Sequence, residues 1–269
     1  MNADLDFLDS SAANKPPLAA YTLSRWAAGT YPSGCVSTAR SQRASDDPRP
    51  NCAISALEVY DIAYTECPST PWTVCRCADA ELTANQMADS FSRVPAAVRS
   101  KVVHFMAVSG GRPNNVVVKG AGSNDDRITF VGPLQDAVFA HESFHSVDQG
   151  FHDTATFQNA YNADSCVPDN YANASPAEDF AQLGVWLDYD TNGRPINQYF
   201  TKSQACMQNQ LNAVRTYAQG LYDLTKGGRT CSARRPNDAT VSATNSAKFK
   251  ALDVQLLPPV ELDYFEVVN

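Results

Sequence analysis

Five residues, His141-Glu142-Ser143-Phe144-His145, constrain this chain more than any others. On an α-helix residues four apart lie one turn above each other on one face. On that face His141 and His145 can offer two imidazoles to one ion. A carboxylate and an open water position then complete the usual catalytic zinc arrangement. Glu142, beside the first histidine, is placed to take a proton from the metal-bound water. Val138, Phe139, Phe144 and Val147 give the segment a large apolar surface. The pattern therefore predicts a core helix with one polar face turned to a cleft.

The chain has four histidines, so the third ligand has few sources. A third His, or an Asp, six residues after His145 would require a Gly at position 148 and a ligand at 151. The chain has Asp148 and Phe151 there, and His152 falls one residue late on a continuing helix. A Gly-Thr-x-x-Asp segment is absent from the sequence. A Glu on a following helix is the third option, and Glu178 offers it, 33 residues past His145. Its bland rival is a first-turn acid favoured by the helix dipole. His104, on the apolar run Val102-Val103-His104-Phe105-Met106, reads as a core histidine, and His152 follows the same logic. Asp148 reads as a residue that orients a ligand imidazole or caps a helix end.

Eight cysteines narrow the setting: Cys35, Cys52, Cys67, Cys75, Cys77, Cys166, Cys206 and Cys231. A structural zinc site needs paired C-x-x-C knuckles, and the closest pair here is Cys75-Arg76-Cys77. The better reading is four disulfides in a secreted protein, with at least one link local to the first group and one to Cys166, Cys206 and Cys231. Asn173-Ala174-Ser175 is an N-glycosylation sequon and fits secretion. Met1-Asn2-Ala3-Asp4 has no apolar core segment and reads as a mature start with an added Met. A net charge of −8 leaves no basic stripe for phosphates, which disfavours nucleic acid. No apolar run is long enough to span a bilayer.

Along the chain, residues 1–50 are rich in Ser, Ala, Pro and Asp and read as an irregular, disulfide-tied lead-in. Leu57–Tyr64 reads as a strand, Pro68–Cys77 as a loop, and Thr83–Arg93 and Pro95–Met106 as helices. Val116–Val118 and Ile128–Val131 read as strands joined by a Gly/Asn/Asp loop, with Gly132-Pro133 breaking the second before the metal helix. Thr154–Ala163, a segment starting at Ser175-Pro176, and Ser203–Leu224 read as helices. A strand is expected near Tyr264–Val268. Strands first and helices later point to an α+β fold.

The pentad extended to His-Glu-x-x-His-x-Val-Asp, followed by Tyr171 and then Glu178-Asp179-Phe180-Ala181, resembles the anthrax-lethal-factor-like branch of zinc peptidases. The likeness covers Ala137 to Gln182. It implies a zincin-like fold with a small mixed N-terminal sheet, an active-site helix and a mainly helical, disulfide-stabilised C-terminal part. One domain over residues 1–269 is expected, with the irregular lead-in covering about 1–55. It further implies one Zn2+ held by His141, His145 and Glu178, Glu142 as general base, and Tyr171 steadying the oxyanion. Gln182 stands where that family has a second Glu, so the charge at that position is missing. A strand such as Ile128–Val131 would offer its edge to an extended peptide. Separately, the stretch Val59 to Cys77 resembles secreted conidiation-associated proteins of filamentous fungi. The expected function is a secreted, monomeric zinc endopeptidase acting on peptide or protein substrates, without nucleic-acid or membrane partners. Two rivals are a secreted zinc-binding surface or effector protein on the same scaffold, with little or no activity, and a metal-free disulfide-rich structural domain.

Overall fold

A computed structural model describes residues 2–40, 52–111, 117–231, 234–242 and 264–268. The chain forms two compact units. One comprises residues 21–88, 102–134 and 235–269; the other comprises 1–20, 89–101 and 135–234. The α+β class expected from the sequence is observed, with the strands gathered in the first unit.

The first unit is built on a seven-stranded mixed sheet. Its strands are β1 (Tyr21–Arg25), β3 (Leu57–Tyr64), β4 (Trp72–Cys77), β5 (His104–Val108), β6 (Val117–Asn124), β7 (Arg127–Val131) and β9 (Tyr264–Val268), in spatial order β1-β3-β4-β5-β7-β6-β9. The pairs β4/β5 and β5/β7 are parallel and the rest antiparallel. In β3 Leu57 and Val59 are buried on one face and Ile62 and Tyr64 on the other, with half-buried residues between them, so the strand is covered in part on both faces. β5 is buried throughout, as a parallel strand inside a sheet is. β6 and β7 form a hairpin whose two turn residues, Asp125 and Asp126, both take positive φ. Asp is among the few residues that tolerate this, and the primed turn matches the strands' twist. β2 (Thr30–Pro32) pairs with β8 (Thr240–Ser242), and α2 (Ser33–Arg40) follows β2.

Three expectations are corrected here. Pro68–Cys77 is not all loop: Trp72–Cys77 is an interior strand, whose short apolar run is broken up by Cys75, Arg76 and Cys77. Pro95–Met106 is not one helix. It splits into α4 (Ala96–Arg99) and β5, because a short apolar run with β-branched Val102 and Val103 serves a buried strand as well as a helix. The lead-in is more ordered than its composition predicts, holding α1 (Asp6–Asp9), β1, β2 and α2. β1 sits at a sheet edge with mostly exposed side chains, so it lacks the alternation that marks a strand.

His104 Nδ1 lies 2.8 Å from Asp238 of the segment before β8, and Arg127 meets the same carboxylate with two nitrogens at 2.6 and 3.0 Å. Burial alone would raise the Asp238 pKa, but these two partners hold it far below the usual carboxylate range. His104 is therefore a buried structural histidine.

The second unit is helical among its described residues: α1, α4, α5 (Asp136–Asp148), α6 (Ala155–Ala163), α7 (Pro176–Asn192) and α8 (Gln208–Tyr222). α3 (Ala84–Arg93) begins in the first unit and ends in the second. Within the helical unit α5 packs along α7, and α8 packs on α6 and α7. Phe151 and Tyr217 stack at 4.0 Å, with Phe157 and Phe180 each 6.0 Å or less from one of them. The Tyr217 hydroxyl donates to the last carbonyls of α5, Val147 O at 3.1 Å and Asp148 O at 3.0 Å, satisfying groups a helix end leaves open.

All eight cysteines are disulfide-bonded. Cys35–Cys75 and Cys52–Cys77 lie within the sheet unit, and Cys166–Cys206 lies within the helical unit. Each cysteine group thus holds a local link, as its clustering implied. No helix among the described residues is long and apolar enough to cross a membrane.

Candidate metal centre

α5 is fixed at both ends. Asp9 accepts a hydrogen bond from Ala137 N at 2.8 Å, and Asp136 in the first turn meets Lys15 Nζ at 2.7 Å, Arg93 Nε at 2.9 Å and Ser90 Oγ at 2.5 Å. Burial would raise the Asp136 pKa, but these donors hold it below 3.8, and the ionised acid sits well at the positive helix end. At the other end Asp148 accepts from His152 N at 2.8 Å and pairs with the His152 ring. His152 is thus turned into the cap after α5 and is not a ligand candidate. Asp148 does the capping, one of the two roles read for it.

α7 starts as its sequence directs. The Ser175 side chain accepts from Glu178 N at 3.2 Å, and Pro176 takes the first helical position. That cap points Glu178 from the first turn. Gly184, further along, lies against Phe144 of α5: a Cβ there would meet the ring at 2.4 Å. Glycine is required at this position so that the two helices can close up.

The close approach brings His141, His145 and Glu178 together. His141 Nε2 and His145 Nε2 are 3.1 Å apart, and Glu178 Oε2 lies 3.1 Å from the first and 3.3 Å from the second. Ligands at roughly 2.0–2.1 Å from a tetrahedral centre stand about 3.3–3.4 Å from one another. The three donor atoms therefore have the spacing and the chemistry of a zinc-type site. Burial would raise the Glu178 pKa, but bonds from His141 and His145 bring it down to about 2. Burial lowers that of His141, and the adjacent His145 adds to this. An ionised carboxylate and a neutral imidazole are the forms that bind a cation.

A second layer orients the first. Gln182, one turn past Glu178, donates from Nε2 to Asp169 Oδ2 at 2.6 Å. Its amide oxygen therefore faces His141 Nδ1, at 3.1 Å. With Nδ1 carrying the proton, His141 Nε2 turns a lone pair toward Glu178 and His145. Asp169 also accepts from Ala172 N at 2.9 Å, which ties down the turn carrying Tyr171. The Tyr171 ring lies 5.5 Å from that of His141. Glu142 is fully buried. Sequence reasoning missed Asp169, whose role depends on a contact across the fold. It also missed Asp179, fully buried beside Glu178, whose carboxyl is pushed up to about 8 by burial and by the charges of Asp169 and Asp164.

The expected peptide edge is not there. β7 is hydrogen-bonded on both sides, to β5 and to β6, so its edge is already used. The outer strands of that sheet are β1 and β9.

A family model described as conidiation-specific protein Con-13 matches residues 2–253. The chain belongs to that family. Conidiation-specific protein 13 of Neurospora crassa is 28% identical over 232 residues, or 82% of this chain. The match spans 63% of that relative's own length, less than two thirds. No solved structure matches the chain. The resemblance noticed between Val59 and Cys77 thus extends over nearly the whole Con-13-like chain. The description of the Con-13 family names a developmental stage and no reaction.

Proposed function

We propose that this chain is a secreted, zinc-dependent endopeptidase. The convergence of His141, His145 and Glu178, with mutual distances of 3.1–3.3 Å, carries the reading. The oxidised cysteines support an extracellular setting. When bound, zinc supplies Lewis acidity that polarises a carbonyl and acidifies a water. His141, His145 and Glu178 would hold it, and Gln182 with Asp169 keeps the His141 lone pair aimed. Glu142 accepts the proton of the attacking water and passes it to the leaving amine. Tyr171, beside His141, donates to the oxyanion of the tetrahedral species.

One observation favours a second reading, a secreted zinc-binding protein without hydrolysis. With β7 paired on both sides, no strand next to the metal helix in sequence is left to seat a peptide backbone.

The test combines metal analysis with cleavage of unfolded casein, with and without chelator. One zinc per chain and chelator-sensitive cleavage are expected. Glu142→Gln should keep its zinc and lose at least about a thousandfold in rate, while His141→Ala should lose the metal. Zinc without cleavage leaves the binding reading, and a chain that takes up no zinc defeats both.

A further inference from the structure

The helical unit carries a cleft of about 450 Å3 lined by residues that the metal chemistry does not use. The volume lies within the range of small-molecule sites. One wall is aromatic: Phe7 and Phe200 stack at 4.7 Å, and Tyr199 lies 6.2 Å from Phe7. Arg194 covers one side of Tyr199, its guanidinium carbon 5.5 Å from the ring centre. Asp4 and Asn14 line the same space.

Two polar atoms in this lining lack a hydrogen-bond partner among the described residues, Asn14 Oδ1 and the Tyr199 hydroxyl. Asn14 is 3% exposed, and its amide nitrogen is already engaged with Ser10 Oγ at 3.3 Å. A buried polar atom left unmatched is costly and calls for a partner. The amide oxygen needs a donor. The phenol can donate or accept.

Charge narrows the ligand. A carboxylate, Asp4, and a guanidinium, Arg194, line one cleft, so an anion meets the first and a cation meets the second. A neutral molecule fits, provided that it carries groups that both donate and accept and one apolar face for the rings. Hydroxyl groups do both. A pyranose ring combines several hydroxyls with a C–H face that stacks on aromatic carbon.

We propose that this cleft binds a neutral saccharide, with its ring against the Phe7/Tyr199/Phe200 wall and its hydroxyls on Asn14, Tyr199 and Arg194. The site is independent of the metal centre and stands or falls without it.

Calorimetry and saturation-transfer NMR would test this on the full chain, using neutral di- to tetrasaccharides of glucose, mannose and N-acetylglucosamine. At least one should bind with a dissociation constant at or below about 1 mM, a usual range for one shallow site. Tyr199→Phe deletes only the hydroxyl and should weaken binding about fivefold or more with an unchanged melting temperature. Arg194→Ala, at an exposed position, should do the same. Binding should survive chelator, and charged analogues such as glucosamine should bind less well. The proposal is overturned if no panel member binds at about 20 mM, if both variants bind as the parent does, or if chelator abolishes binding.

Discussion

The imidazole of His141 depends on a chain of three side chains, and each link has a defined donor. Gln182 can face His141 with its oxygen only because its nitrogen is spent on Asp169. Gln182→Ala should therefore lower zinc affinity by about 10–100-fold while circular dichroism stays unchanged. Asp169→Asn should have a similar effect, since an amide at 169 no longer dictates which way the Gln182 amide turns. Competition with a chromophoric zinc chelator measures both, and affinities equal to the parent's would remove the relay. A zinc peptidase of the kind expected from the sequence would carry a Glu at position 182. Here the carboxylate stands one residue further out, on Asp169, so the amide transmits orientation where a direct acid would supply charge.

At the level of elements, the contact between α5 and α7 sets the site. Gly184→Ala puts a methyl carbon into the Phe144 ring, and overpacking of this kind costs about 1–3 kcal/mol. Thermal melting should show the loss. Phe144→Leu in the same chain should return part of it by opening room at the contact. An unaltered melting temperature for Gly184→Ala would mean that the helices are not held by this contact. Legibility in the sequence follows the same division between local and distant causes. The α5 pentad was readable because its meaning lies within one helical turn, and the start of α7 because Ser175 and Pro176 are local capping signals. β3 was readable from its β-branched and aromatic content. β4 and β5 were not, since burial on both faces erases period two. The pairing of β7 on both sides was invisible as well, because a strand's neighbours are set by topology and not by its own residues. Asp169 and Asp179 gave no local signal either.

For the whole molecule, buried acids make stability depend on pH. Asp188 is fully buried, accepts a hydrogen bond from Asn192 at 2.6 Å, and is pushed up to about 8 by burial. Its folded pKa lies above the unfolded value of roughly 3.9, so the folded chain keeps a proton that the unfolded chain gives up. Stability should fall as pH rises between those two values, by up to about 1.4 kcal/mol per pH unit for this group. Asp188→Asn keeps an acceptor for Asn192 and removes the proton. Denaturant midpoints at pH 5 and pH 8 should differ less in this variant than in the parent, and parallel profiles would show that Asp188 carries no such proton. Asp136 works in the opposite sense. Its pKa is depressed, so its contribution is full above about pH 4 and fades as pH falls through the folded value.

The missing side chain at position 184 reaches beyond packing. Because hydrocarbon contact holds the ligand-bearing turns at their spacing, the cation is not what assembles them. Zinc fingers come apart under chelation because the ion is their core. Here chelator should empty the centre and leave the helical signal at ambient temperature nearly untouched, lowering the melting temperature only by the linkage lost with a bound ligand, and added zinc should restore occupancy at once without a refolding phase. A socket built this way would be finished before any cation reached it.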